Sequence, residues 1–407
     1  MTPPSVDDVS AGCARVESFP ARGAALRLEQ RFVHEHSYPV VFTSGMFQVD
    51  NHTLLEVLSE AGSSGRARVM VVLDEGLRAA SPGLLAQISR YFTNHGARLE
   101  LVAEPVGMVG GEAAKNDPEL IQQLLKRMFA ARLDRHSYLL VVGGGAVLDA
   151  AGYAASLFHR GLRLVRAPST VLAQDDAGIG VKNGVNAFGQ KNALGTFSVP
   201  RAVINDFAFL GTLSTRDHIA GLAEAIKVSL LRDPAFFGWI EQNAVRLRAR
   251  EAEPTQWLVR RSAELHLAHI CAGGDPFELG SARPLDFGHW SAHRLELLSD
   301  HALRHGEAVA IGMALDTRYA VLAGLLDAAS AERVQQAIRA VGLPTWHPAL
   351  ELVDASGVPE VLRGLDDFRE HLGGSLSITM LREVGFGAEV HEVDIANMRA
   401  AIASAPR

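Results

Sequence analysis

Three short runs in the first half of the chain, "RARVMVVLDEG", "RLELVAE" and "SYLLVVGGG", restrict the possible folds more than any other feature. Each is rich in valine or leucine, is only long enough for a strand, and ends at acidic residues or glycine. Between them lie helical-looking stretches such as "LLAQISRYFTNHG". Strands that are apolar on both faces need cover on both faces, which a parallel sheet with helical crossovers supplies. The alternation therefore predicts a Rossmann-like α/β N-terminal domain. From about Ser214 the pattern changes to longer segments with an apolar period of about 3.6, including "TRDHIAGLAEAIKVSLL", "TQWLVRRSAELHLAHI" and "GEAVAIGMALDTRYAVLAGLL", so the second half is expected to be mostly α-helical. We divide the chain into a flexible N-terminal extension over residues 1–25, an α/β domain over 26–210 and a helical domain over 211–407. The glycine-rich polar stretch 174–196 is expected to be a loop facing the cleft between the domains.

Composition narrows the class of function. Of 407 residues, 48% are hydrophobic and 21% charged, which is ample apolar material for two cores, and no tract is of low complexity. A formal charge of −7 and a pI near 6.1 argue against nucleic acid or an anionic membrane as a general partner, while a local basic pocket can still take a small anion. Cys13 and Cys271 are the only cysteines, so neither a disulfide framework nor a cysteine metal site can be built. Any metal must then be held by nitrogen and oxygen. The opening residues lack the basic start and apolar run of a secretory signal, and the longest apolar run, residues 138–158, is broken by Gly143, Gly144, Gly145 and Asp149. A cytoplasmic protein without a membrane span is expected.

In "LLVVGGGAVLDAAGYAASL" the glycines end a strand and Asp149 follows at the start of a helix. Such a turn lets backbone N–H groups and the helix dipole meet a pyrophosphate, although a tight turn without a ligand would look similar. Lysine usage adds a second pointer. Among 39 basic residues only Lys115, Lys126, Lys182, Lys191 and Lys227 are lysine, so arginine serves for ordinary surface charge and lysine is kept where a compact ammonium is useful. Lys126, in "QQLLKR", reads as surface charge. In "GLAEAIK", Glu224 and Lys227 share a helical face among apolar neighbours, which favours a partly buried pair over an exposed one. His289 and His293 stand one helical turn apart, and His305 lies beyond a loop in "RHGEAV". Two histidines and a carboxylate from separate helices suit Zn²⁺ with an open position for substrate, whereas a histidine pair alone would be an ordinary surface or core feature. His34, His36, His159, His218, His266, His269 and His301 carry no motif and read as structural or solvated.

Taken in order, "GGEAAK", "GGGAVLDAAG", "APSTVLAQDD", "GVKNGVN", "KNALG", "GLAEAIK", "DFGHWSAH" and "RHGEAV" resemble the sugar phosphate cyclase superfamily, typified by 3-dehydroquinate synthase, over about residues 68–385. The resemblance implies the dehydroquinate synthase-like fold, a tightly bound NAD⁺, one divalent metal (Zn²⁺, Co²⁺ or another), and a homodimer acting on a small sugar phosphate. It makes Glu224, His289 and His305 the metal ligands and His293 an unligated acid/base or phosphate-contacting group. It places Glu112, Lys115, Gly144, Gly145, Asp149, Ser169, Thr170 and Lys191 against NAD, with Asp74 toward the adenosine end. Asp176, Lys182, Asn192 and Lys227 fall in the substrate pocket, and Arg160, in "FHRGL", matches an arginine that reaches the partner subunit's phosphate site.

The chain departs from 3-dehydroquinate synthase where that enzyme grips its substrate carboxylate. The lysine and arginine positions, counted back without gaps from the histidine motif, are Ala268 and Ala282 here, with Arg283 one place off. Asp286 replaces an asparagine, and "FREHLGG" replaces a lysine-rich stretch. An acidic group there disfavours a doubly anionic substrate. The pattern is more like sedoheptulose 7-phosphate cyclases, and His293, where the 2-epi-5-epi-valiolone branch tends to have proline, points to a 2-epi-valiolone synthase. The alternatives are 3-dehydroquinate synthase itself, a metal-dependent NAD polyol dehydrogenase of the same architecture, and a binding protein that has lost catalysis.

Overall fold

A computed structural model describes residues 33–59, 65–272, 277, 285–371 and 374–405. The expected extension over residues 1–25, Ala282 and Arg283 lie outside the described residues.

The first half carries β1 (Val40–Thr43), β2 (Ala67–Asp74), β3 (Leu99–Leu101), β4 (Val106–Met108), β5 (Tyr138–Gly143), β6 (Arg163–Pro168), β7 (Lys182–Ala187), β8 (Gln190–Phe197) and β9 (Ala202–Asp206). All but β7 and β8 form one parallel sheet in the order β1-β9-β6-β5-β2-β3, with β4 continuing the β3 edge against β2. Every residue of β5 is buried, and its side chains alternate between two cores as the strand period of two requires. Leu140 and Val142 join Ile88 and Tyr91 of helix α1 (Leu84–Asn94) on one face. Leu139 and Val141 meet Leu124 of α2 (Pro118–Ala130) and Leu148 of α3 (Gly145–Leu157) on the other. The strand order reverses between β2 and β5, and ligands of such sheets bind at the carboxyl ends flanking that reversal. Asp74 ends β2 there, and Gly143 ends β5.

The stretch 174–196 corrects the expectation of a loop. Residues Ala173–Ala177 make one π-helical turn, and β7 and β8 pair as an antiparallel hairpin. The inner side of β7 packs on α3, but almost every residue of β8 faces outward, so the sequence lacks the alternation that marks a half-buried strand. Arg166 of β6 shapes the approach to this hairpin. Fully buried, it donates to the carbonyls of Gly178 (3.3 Å), Gly180 (2.8 Å) and Lys182 (2.6 Å) and to Asn183 Oδ1 (2.7 Å).

The second half builds one large apolar cluster from α4 (Thr215–Arg232), α5 (Pro234–Arg248), α6 (Ala252–Ala272), α7 (His289–Leu298) and α8 (His305–Leu322), closed by a small hairpin over residues 378–390. Ser214 caps α4 by accepting from Asp217 N at 3.1 Å. From Ala220 to Leu231 every residue of α4 is buried, so Glu224 and Lys227 are carried into the interior. Glycine sets how closely the helices approach. A Cβ on Gly306 would lie 1.8 Å from the Ala220 carbonyl oxygen, so α8 meets α4 backbone to backbone immediately after His305. Gly288, at φ +78°, turns the chain into α7 just before His289, and a Cβ there would come within 2.6 Å of Met313 N. Among the described residues, no helix is long and apolar enough to cross a membrane.

Candidate active site

These approaches bring Glu224, His289 and His305 to one point. Ligand atoms from the three lie within 4.8 Å of one another; Glu224 Oε1 is 3.7 Å from His289 Nε2 and 3.5 Å from His305 Nε2. Donors sharing one tetrahedral ion at about 2.0–2.2 Å stand roughly 3.3–3.6 Å apart, close to this spacing. Glu224 is 1% exposed, and neither of its oxygens accepts a well-aligned hydrogen bond; the Lys227 ammonium and the two imidazoles surround it instead. Two nitrogens and an under-satisfied buried carboxylate are a donor set that fits a divalent cation.

Charge around this point is strongly biased. Burial alone would raise the Glu224 pKa, but Lys227, His305 and His289 together hold it well below the usual carboxylate range. Burial opposes the charge on Lys227, and Glu224 with Asp176 more than offsets this, so its ammonium is held more firmly than usual. His305 is raised to about 9 because Glu296 and Glu224 outweigh burial. Burial drives His289 well below the ordinary histidine value, helped by Lys227, and drives His293 down to about 4, helped by His305.

A second group faces Lys227. Asp176 Oδ2 lies 3.7 Å from its ammonium, and His266 Nε2 lies 3.4 Å from Asp176 Oδ1. His266 had read as structural; it is buried on α6, and its Nδ1 is 2.9 Å from the Ser262 carbonyl, which turns the other nitrogen toward Asp176. Asp286 also acts on Lys227, raising its pKa.

The residues assigned to the dinucleotide form a third group. Gly144 caps α3 without a side-chain hydrogen bond, and Ser169 N donates to Gly143 O at 2.9 Å. A Cβ on Gly144 would stand 3.2 Å from Thr170 Cγ2, and one on Gly145 3.3 Å from Ala177 Cβ. Lys115 Nζ pairs with Asp149 at 2.7 Å and also donates to Asn192 Oδ1, so Asn192, expected in the substrate pocket, joins Lys115 and Asp149 here. Lys191 Nζ bridges Glu112 (3.1 Å) and Glu296 (2.7 Å). Asp74 Oδ1 accepts from Gly76 N and Leu77 N, so it caps the following helix. A cavity of about 690 Å³ borders Lys115, Lys191, Tyr153 and Asn186. Lys182 is exposed at the start of β7. Arg160 is exposed at φ +65°, and its side chain has no hydrogen bond or ion pair among the described residues.

Sequence reasoning missed Glu296 as well as His266. Glu296 is 2% exposed and contacts both Lys191 and His305 Nδ1 (3.3 Å). Its signal was available: His289, His293 and Glu296 fall at i, i+4 and i+7, one face of a helix.

The family model described as 3-dehydroquinate synthase N-terminal matches residues 106–220, and the one described as 3-dehydroquinate synthase C-terminal matches residues 221–361. The chain belongs to the 3-dehydroquinate synthase family and is a sugar phosphate cyclase. A 2-epi-5-epi-valiolone synthase of Actinoplanes sp. is 35% identical over 373 residues, spanning 90% of this chain and 89% of the relative. A 3-dehydroquinate synthase of Caulobacter vibrioides is 33% identical over 379 residues, spanning 90% of this chain and 95% of the relative. Among solved structures, the 2-epi-5-epi-valiolone synthase of Streptomyces hygroscopicus subsp. jinggangensis, with NAD⁺ and Zn²⁺ bound, matches with a TM-score of 0.82 at 30% identity and covers 93% of this chain and 99% of that one.

Proposed function

We propose that the enzyme converts sedoheptulose 7-phosphate into a valiolone-type cyclitol, 2-epi-valiolone, with release of phosphate, using NAD⁺ and one divalent metal held by Glu224, His289 and His305. Relatives named for both activities align at similar identity, so the choice of substrate rests on residues. The observation that carries it is Asp286, half-buried three residues before the proposed ligand His289, whose N–H donates to the Asp286 carbonyl at 3.0 Å. A second negative charge on the substrate body would meet that carboxylate, and helix α6 presents Ala268 where the resemblance places a gripping lysine. A neutral-bodied sugar phosphate avoids both problems.

Bound NAD⁺ would supply a hydride acceptor that later returns the hydride, and a bound divalent metal would acidify adjacent substrate hydroxyls. The chain's own side chains position the rest. Lys227, fixed between Glu224 and Asp176, donates to a substrate hydroxyl, while Asp176, braced by His266, accepts from the next. His293 stands beside His305, ring centroids 6.0 Å apart, and burial keeps it neutral so that it can accept a proton or bond the phosphate. Lys182 and Arg160 bind the substrate phosphate, Arg160 acting across a homodimer, while Asn192 sits with Lys115 and Asp149 beside the dinucleotide. Oxidation next to the carbon that loses its proton permits β-elimination of phosphate; the reduced product then opens and closes by an intramolecular aldol reaction. The division near residue 210 assigns the dinucleotide to the first half and the metal to the second, in a cytoplasmic enzyme.

Purified enzyme with NAD⁺ and Zn²⁺ is expected to release phosphate from sedoheptulose 7-phosphate without net NADH, giving a cyclitol identifiable by NMR. Turnover of only the seven-carbon acid phosphate used by 3-dehydroquinate synthase would overturn the substrate. Steady NADH formation from a polyol would instead identify a dehydrogenase, whose neutral substrate gives no role to the lysine group.

A further inference from the structure

Glu296 belongs to no ligand set above, yet both its oxygens are committed. Oε1 accepts from the Lys191 ammonium at 2.7 Å, and Oε2 faces His305 Nδ1 at 3.3 Å. An ionised carboxylate only accepts, so the His305 ring meets it well only with a proton on Nδ1. In the neutral imidazole the lone pair is then on Nε2, the nitrogen 3.5 Å from Glu224 Oε1. His289 is set the same way by backbone: its Nδ1 lies 3.2 Å from the Phe287 carbonyl and its Nε2 3.7 Å from the same Glu224 oxygen. Both rings therefore present Nε2 to one point, one held by a carbonyl and the other by a buried carboxylate. Outer carboxylates of this kind fix the tautomer and plane of ligating imidazoles.

His293, Glu296 and His305 also bring ligand atoms within 4.8 Å of one another, but this trio does not make a second cation site. The Lys191 cation occupies one Glu296 oxygen, and a protonated Nδ1 has no lone pair to give.

We propose that Glu296 is a positioning residue that aims His305 Nε2 at the metal and, through Lys191, ties that ligand to Glu112 on the dinucleotide side. This rests on the metal reading of the site. The test is the Zn²⁺ Kd of the full chain, measured by competition with a chromogenic chelator, with the NAD⁺ Kd and the melting temperature followed in parallel. Glu296→Leu is expected to weaken Zn²⁺ about 10- to 100-fold. Glu296→Gln, which keeps the shape and one acceptor, is expected to restore part of that loss, and the d–d absorption of the Co²⁺-loaded Leu variant is expected to shift. A folded Leu variant whose Zn²⁺ Kd stays within about twofold of wild type overturns the proposal. Where the Leu variant does not fold, the same threshold applies to Gln. Equal losses in both variants, without rescue, assign Glu296 to packing and also overturn it. A wild-type chain that binds no divalent metal would overturn the metal reading instead.

Discussion

At the turn after β5, Gly144 opens α3 with no side chain capping it, so whatever binds there meets backbone N–H groups and the helix dipole. The site in the helical half is made the other way. Glu224, Lys227, His289, Glu296 and His305 come from three helices, all charged or ionisable, and all but His305 are buried almost completely. The first arrangement is local and needs only small residues in sequence. The second depends on backbone contact between α4, α7 and α8, and on each charge having its counter-charge; removing any one leaves another stranded in the interior. The α/β half should therefore lose ligand affinity gradually on substitution, and the helical half abruptly.

The sharpest test of that contrast is His289→Ala. Bound divalent metal, measured by elemental analysis after gentle purification, is expected to fall from one per chain to none, with turnover; full metal content would show that the ligand set is misassigned. Lys227→Ala is expected to cut phosphate release by about 10³-fold or more while NAD⁺ binding survives. It should also lower stability, because Glu224 and Asp176 lose the ammonium held between them, and only the two imidazoles remain beside the Glu224 carboxylate. On the other side, Gly144→Val is expected to weaken NAD⁺ by about 1–2 kcal/mol, roughly 5- to 30-fold, and to leave the Zn²⁺ stoichiometry unchanged. Loss of both ligands would erase the distinction between the two regions.

A smaller effect concerns acid stability of the helical half. Burial, helped by Arg250, pushes His218 of α4 down from 6.5 to about 4. Between those values the unfolded chain takes up a proton that the folded chain refuses, so stability falls as pH drops through the window. The full effect is on the order of 3 kcal/mol. His218→Leu should flatten the unfolding free energy between pH 6.5 and 4 relative to wild type; an unchanged slope would remove His218 as its source.

Much of the architecture was legible because its signals are local. The strands that end at Asp74 and Gly143 announced themselves by valine and leucine runs that stop at an acid or a glycine. The hairpin of β7 and β8 did not, because β8 is exposed along nearly its whole length and carries no apolar alternation. At the site, His289 and His293 could be paired from spacing, since one helix carries both. That His305 comes within 3.5 Å of Glu224 depends on Gly306 letting α8 touch Ala220, a contact between segments far apart in the chain. Long-range contacts also define the roles of Glu296 and His266. His266 shows its role only through Asp176, far away in the chain; Glu296 shares a helical face with His289 and His293, but its partner Lys191 comes from the distant strand β8.

The guanidinium of Arg166 grips the segment leading into β7 through three main-chain oxygens and only one side chain. An anchor on a peptide carbonyl does not depend on the side chain of the residue it holds. Exchange of the exposed Lys182 side chain leaves all four of these bonds in place, because Arg166 holds that residue by its carbonyl, whereas Asn183 is held by its side chain. A side chain at that position can be exchanged with no rebuilding of the backbone that displays it.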